Sequence, residues 1–97
     1  MSEPGDIHLA DLNEERRRRV LVASNSRFSR AAGRVVVIPE VFGAPDEVPF
    51  PWRVNSDGAV FAVDLLTTLP VERLLERTGH ASNTALVQIQ RAIRLIT

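Results

Sequence analysis

Apolar positions along this chain change their period once. Up to about Arg77 they come in short, β-branched runs broken by turn residues, and from Ser82 onward they recur at spacings of three and four. The first pattern predicts strands and the second an amphipathic helix. Residues 7–12 alternate weakly after Gly5-Asp6 and read as a first strand. Val20-Leu21-Val22-Ala23 reads as a second. Residues 24–33 are polar around Phe28, with Ala31-Ala32-Gly33 suggesting a turn of helix that ends at glycine. Arg34 to Ile38 is the strongest strand signal, expected at the centre of a sheet and to stop at Pro39. Residues 40–51, with prolines at 45, 49 and 51, read as a long connection. A short strand at 51–54, a turn at Asn55-Ser56-Asp57-Gly58 and a strand at 59–65 follow. Residues 69–73 are expected to form one helical turn opened by Pro70, and 74–77 an edge strand. Ser82 or Asn83 can cap the last helix, whose stripe is Leu86, Ile89, Ile93 and Ile96 widened by Ala85 and Ala92. Its apolar face needs the sheet as partner, so the expected fold is mainly β with a C-terminal helix.

The 97 residues provide for one compact domain, spanning 1–97, near the size at which association adds needed stability, so a dimer is expected. Cysteine is absent, which excludes disulfides and thiolate metal sites. No secretory leader pattern or uncharged apolar span is visible, and the chain reads as cytoplasmic with no membrane association. No metal motif and no glycine-rich phosphate loop occur, and no cofactor is implied.

Charge enters through its distribution, because 12 basic and 12 acidic residues cancel. Met1 to Glu15 holds five acids and no arginine, while Arg16 to Arg34 holds seven arginines and no acid. Four of these, Arg16 to Arg19, are consecutive and run straight into the second strand. Guanidiniums pinned at one end by a strand suit a phosphate clamp, since each offers a rigid fork of donors. A solvated turn balanced by Glu14 and Glu15 explains the same run, and both readings stand on these residues alone. His8 and His80 are read as structural or surface groups ahead of any catalytic use. Phe50 and Trp52 offer faces on which bases can stack, although so few aromatics are needed first in the core or a dimer contact.

The order of these pieces resembles the MazF/PemK-like toxins of type II toxin–antitoxin systems across nearly the whole chain. The residues that carry the resemblance are Gly5-Asp6-Ile7, Arg18 with Arg19-Val20-Leu21-Val22-Ala23-Ser24, Val35 to Pro39, Asp57-Gly58, Asp64, and Ala92-Ile93-Arg94-Leu95-Ile96. It implies an SH3-like small barrel of the MazF/CcdB toxin type, a homodimer that cleaves single-stranded RNA sequence-specifically without metal, and an antitoxin partner lying in the same groove. The family's active-site arginine falls on Arg18, and Arg19 stands where the family usually has proline. The acid used by some PemK-like members as proton acceptor matches Asp64. The family's catalytic threonine falls on Val41, which has no hydroxyl, so Thr67 or Thr68 is a candidate replacement.

The chemistry so implied is attack of the ribose 2′-hydroxyl on its own 3′-phosphate, giving a 2′,3′-cyclic phosphate and a 5′-hydroxyl. A base, an acid and a cation at the phosphate oxygens are required. Arg18 suits the cation, Asp64 the base, and Arg16 and Arg53 peripheral phosphate contacts that would also pair with an acidic antitoxin tail. The alternative is a non-catalytic toxin or binding module, like the related CcdB proteins, acting by protein contact; Val41 favours it, while Arg18 and Asp64 favour the nuclease.

Overall fold

The structure is a computed structural model that describes residues 2–42 and 50–97. Chain order is β1 (Asp6–Ala10), β2 (Arg18–Val22), α1 (Ser26–Ala32), β3 (Arg34–Val41), β4 (Arg53–Ser56), β5 (Ala59–Ala62), β6 (Thr67–Pro70), β7 (Leu74–His80) and α2 (Asn83–Ile96), with 3-10 turns at Val63–Leu65 and Val71–Arg73. All pairings are antiparallel, in the order β4-β5-β3-β2-β1-β7, and β6 also pairs β3. The fold is mainly β with a C-terminal helix, as expected; the sheet is strongly curved but open, with β4 and β7 at the ends of its main path and β6 branching from β3 among the described residues. Curvature nevertheless brings those ends together: a Cβ built on Gly79 of β7 would stand 2.8 Å from Asp57 Oδ2 at the β4–β5 turn.

β3 makes that curvature possible. Its first half, Arg34 to Val37, pairs β6, and its last residues, Glu40 and Val41, pair β5. Pro39 lies in the gap between the two, so neither β5 nor β6 asks for the N–H that proline lacks. The strand therefore runs through Pro39, opposite Val20, instead of stopping there as the sequence suggested. β5 is shorter than expected for the complementary reason. Ala62 faces Arg53, the first residue of β4, and beyond it the chain turns into the 3-10 helix that carries Asp64. The strand β6 lies where a single helical turn was expected, and only Val71–Arg73 is helical, with Pro70 just before it. Part of the 40–51 connection falls outside the described residues.

Local chemistry accounts for the remaining boundaries. Asn25 caps α1 by accepting from Phe28 N–H, and Gly33 closes it at φ 68°. Asp57 and Gly58 both have positive φ, 51° and 74°, as a two-residue hairpin turn requires. Ser82 caps α2 by accepting from Ala85 N–H.

Two apolar clusters follow from the alternation of the central strands. One gathers Ile7, Leu21, Ile38, Val54, Phe61 and Val63 against Ala85, Ile89 and Ala92 of α2, with Trp52 at its margin. The other holds Ala10, Val20, Val22, Val35, Val37 and Leu69. Small residues on α2 let the helix approach the sheet closely. Leu86 and Ile93 are only partly buried, and Ile96 is exposed.

The start of β1 and the end of β7 are joined by a polar clip. Asp6, 7% exposed, accepts from Glu3 N–H (2.9 Å), Arg77 Nε (3.1 Å) and His80 Nδ1 (2.9 Å). Burial opposes its charge, but the Glu3 N–H, His80 and Arg77 outweigh that and hold the carboxyl below its ordinary value of 3.8. Gly5 precedes it at φ 93°, where a Cβ would sit 2.9 Å from His80 Cε1.

Phe61→Ala, which empties the largest fully buried site, should cost about 3–5 kcal/mol in chemical denaturation. Asp6 contributes stability that is fully present above its unfolded pKa and is lost as pH falls through its lower folded pKa. Asp6→Asn should therefore flatten the dependence of the denaturation midpoint on pH below about 4, and an unchanged slope would show that the clip does not couple to protons.

Candidate active site

β2 opens with Arg18 and Arg19, and strand alternation sends their side chains to opposite faces. Arg19 lies opposite Leu9 of β1 and reaches Glu40 of β3, whose side chain is 9% exposed. Glu40 Oε1 accepts from the Arg19 backbone N–H at 2.8 Å, and its Oε2 stands 3.3 Å from Arg19 Nη2. Arg19 Nη1 donates in turn to the Asp57 carbonyl at 3.0 Å. The buried charge is thus paired and hydrogen-bonded, without which it would be strongly destabilising.

Arg18 is fixed by the same residue from the other side. Its Nη1 donates to the Glu40 backbone carbonyl at 2.8 Å, and its Nη2 donates to Glu14 Oε2 at 2.8 Å. Its guanidinium carbon lies 4.7 Å from the centre of the Phe42 ring, and that of Arg16 lies 3.8 Å from it. One half-exposed aromatic therefore gathers two cations through its face. Beside it opens a cavity of about 460 Å³ lined by Leu9, Arg16, Arg17, Arg19, Val41 and Phe42, together with the Gly58 turn. Arg16 and Arg17, beside an Arg19 paired with Glu40 in the same wall, suit a phosphate-bearing chain, and the Val41 side chain brings no hydroxyl.

The other residues singled out by sequence lie elsewhere in the chain. Asp64 pairs with Arg53, Nε to Oδ1 at 3.4 Å, an ion pair too long and poorly aligned to satisfy the buried Arg53 Nε. Asp64 lies in the 3-10 turn that follows β5 and is not among the residues lining the arginine cavity, which takes Ala59 and Val60 from that strand. Thr67 and Thr68 pair with Val37 and Val36, at the opposite half of β3, and Thr68 Oγ1 accepts from Arg34 Nη2 at 3.1 Å. Neither threonine meets Arg18 within one chain. A second cavity, about 490 Å³, lies between β4 and α2 beside Arg53, Asn55, Ser82, Gln88 and Arg91. It is slightly larger than the first, but it does not hold the arginine run.

Both histidines have structural partners. His8 Nδ1 donates to the Leu75 carbonyl at 2.8 Å, tying β1 to β7, and His80 belongs to the Asp6 clip. Phe50 stacks on Trp52 with centroids 5.2 Å apart, and Trp52 in turn packs on the core. Among the described residues no group of three or more His, Cys, Asp or Glu is placed to hold a metal ion. No helix there is long and apolar enough to cross a membrane.

Sequence reasoning missed Glu40 and Phe42. The signal was present in Val37-Ile38-Pro39-Glu40-Val41-Phe42, where an acid interrupts an apolar strand and an aromatic ends it. Expecting the strand to stop at Pro39 hid both.

A family model for the PemK-like, MazF-like toxin of type II toxin–antitoxin systems matches residues 3–97. No curated protein sequence matches significantly. Among solved structures, the fold is similar to an endoribonuclease in complex with its cognate antitoxin from Mycobacterial species (TM-score 0.84, 18% identity, 98% of this chain and 93% of that one). It is also similar to MazE-MazF from Deinococcus radiodurans (TM-score 0.82, 18% identity, 98% and 93%) and to the Mycobacterium tuberculosis toxin MazF-mt6 (TM-score 0.73, 22% identity, 91% of each). The family match spans both halves of the sheet, the arginine-bearing β2 and the closing helix, and so this chain belongs to the PemK-like, MazF-like toxins of type II toxin–antitoxin systems.

Proposed function

We propose that the chain, as a single toxin domain over 1–97, is a cytoplasmic, metal-independent endoribonuclease that cuts single-stranded RNA sequence-specifically and leaves 2′,3′-cyclic phosphate and 5′-hydroxyl ends. The observation that carries this reading is Arg18, which the Glu40 carbonyl holds beside Phe42, itself a wall of the neighbouring cavity lined by Arg16, Arg17 and Arg19. A guanidinium so fixed costs little reorganisation when charge accumulates on phosphate oxygens. Arg16 lines that cavity and contacts a neighbouring phosphate, while Arg19, expected from sequence to bind RNA, is committed in the cavity wall to Glu40 and the Asp57 carbonyl. Arg53, Thr67 and Thr68 are not among the residues lining that cavity, and in this reading they serve a longer RNA path. Asp64, held by Arg53, is a structural carboxylate in the same reading.

Two partners belong to this reading: a second copy, forming a homodimer, and an antitoxin whose acidic tail competes with RNA for the arginines. One observation favours a second reading. Val41 supplies no hydroxyl, which suits a non-catalytic toxin acting by protein contact, like CcdB.

Incubating the protein with long single-stranded transcripts in EDTA and mapping new 5′ ends separates the two readings. Discrete cuts with 5′-hydroxyl ends are expected, and a folded Arg18→Ala protein should produce none. The same substitution should reduce the salt slope of single-strand binding by about 0.7. Undiminished cleavage by Arg18→Ala would overturn its assignment.

A further inference from the structure

Cleavage by the 2′-hydroxyl needs a proton acceptor near the phosphate that Arg18 holds, and the residues expected to help with the chemistry are not there. Val41 has no titratable or hydroxyl group, and Asp64 is paired with Arg53. The Glu40 carboxylate is buried and committed to Arg19 on the opposite face of the strand. Asp57 lies at the hairpin tip, its carboxylate beside Gly79. Among the described residues, the carboxylate in contact with the Arg18 guanidinium is that of Glu14, at 2.8 Å. It is also accessible, with its side chain 41% exposed against 19% for Arg18.

We propose that Glu14 is the proton acceptor for the 2′-hydroxyl of the RNA bound at Arg18. The assignment rests on the ribonuclease reading and names the residue that fills its missing role. Arg18 Nη1 is tied to the Glu40 carbonyl, which fixes the guanidinium plane, and Nη2 gives one N–H to Glu14. The second N–H of Nη2 is directed to a phosphate oxygen, about 2.7–2.9 Å away in a charge-assisted bond. The ribose joined to that phosphate then brings its 2′-hydroxyl alongside the Glu14 carboxylate. Glu14 takes the hydroxyl proton as the 2′-oxygen bonds to phosphorus. The bond from phosphorus to the 5′-oxygen breaks, and that oxygen takes a proton from water. The resulting hydroxide removes the proton from Glu14, so the enzyme returns to its starting state and no oxidant, metal or other reactant is consumed.

The test begins from a cut site mapped on a long transcript with the wild-type protein. An oligoribonucleotide spanning that site reports cleavage, and its all-2′-deoxy copy reports binding without cleavage. Glu14→Gln keeps an oxygen that can accept from Arg18, so folding, KM and affinity for the deoxy copy should be unchanged, while kcat falls by about 100-fold or more. Glu14→Asp should recover part of the lost rate. Wild-type kcat in a folded Glu14→Gln protein overturns the assignment, and so does a rise in both rate and affinity, which would show that the carboxylate only blocks Arg18. Parallel loss of deoxy-copy binding and kcat also overturns it, because Glu14 would then only position Arg18. Failure of the wild-type protein to cut any transcript is a different result: it removes the ribonuclease reading itself, and the proposal with it.

Discussion

Burial of Glu40 in the central strand is the constraint on which the arginine site depends. Its carboxylate must be paired, and the partner available across the strand is Arg19, through both backbone and guanidinium. The same residue's carbonyl, on a strand already bonded on both flanks, holds Arg18. One residue thus separates two adjacent arginines into two jobs. Arg19 becomes part of the scaffold, bridging β2, β3 and the Asp57 turn, and Arg18, the more buried of the two, becomes a fixed cation between Glu14 and Phe42. Without such division, four neighbouring arginines would repel one another and sample many rotamers.

The strand that carries Glu40 also explains the shape of the molecule. β3 is paired by β2 along one side and by β6 and then β5 along the other, with Pro39 at the handover. A strand that changes partner midway bends the sheet, and the bend turns Ile38 and Phe61 toward α2 while Val35 and Val37 close a separate cluster. The cavity lies at the end of β3 where pairing stops and polar groups can reach solvent.

Much of this was legible in the sequence. The period of three and four from Ser82 located α2, and Val35 to Ile38 announced a central strand. Asp57-Gly58 marked its hairpin, because only certain residues tolerate positive φ there. What sequence could not supply was strand partnership. Proline normally argues for an edge, and nothing local shows that neither β5 nor β6 needs a donor at Pro39. Thr67 to Pro70 looks too short and too close to a helical turn to be a strand until Arg34 to Val37 is there to pair with it. For the site, the arginine run was visible, but residues distant in sequence determine which arginine is structural. Arg18 and Asp64, linked only through a resemblance, have different partners: Glu14 and the Glu40 carbonyl for one, Arg53 for the other.

The Asp6 clip joins residues 74 positions apart, and β1 is held between β2 and β7. During synthesis, one edge of β1 therefore stays unsatisfied until β7 has left the ribosome, so the early sheet carries an open, sticky flank. Long-range strand pairing of this kind is the feature that slows folding across small domains. The arginine cavity, by contrast, draws its walls from the first two-thirds of the chain. Its residues are therefore synthesised well before β7, the strand that covers the remaining edge of β1.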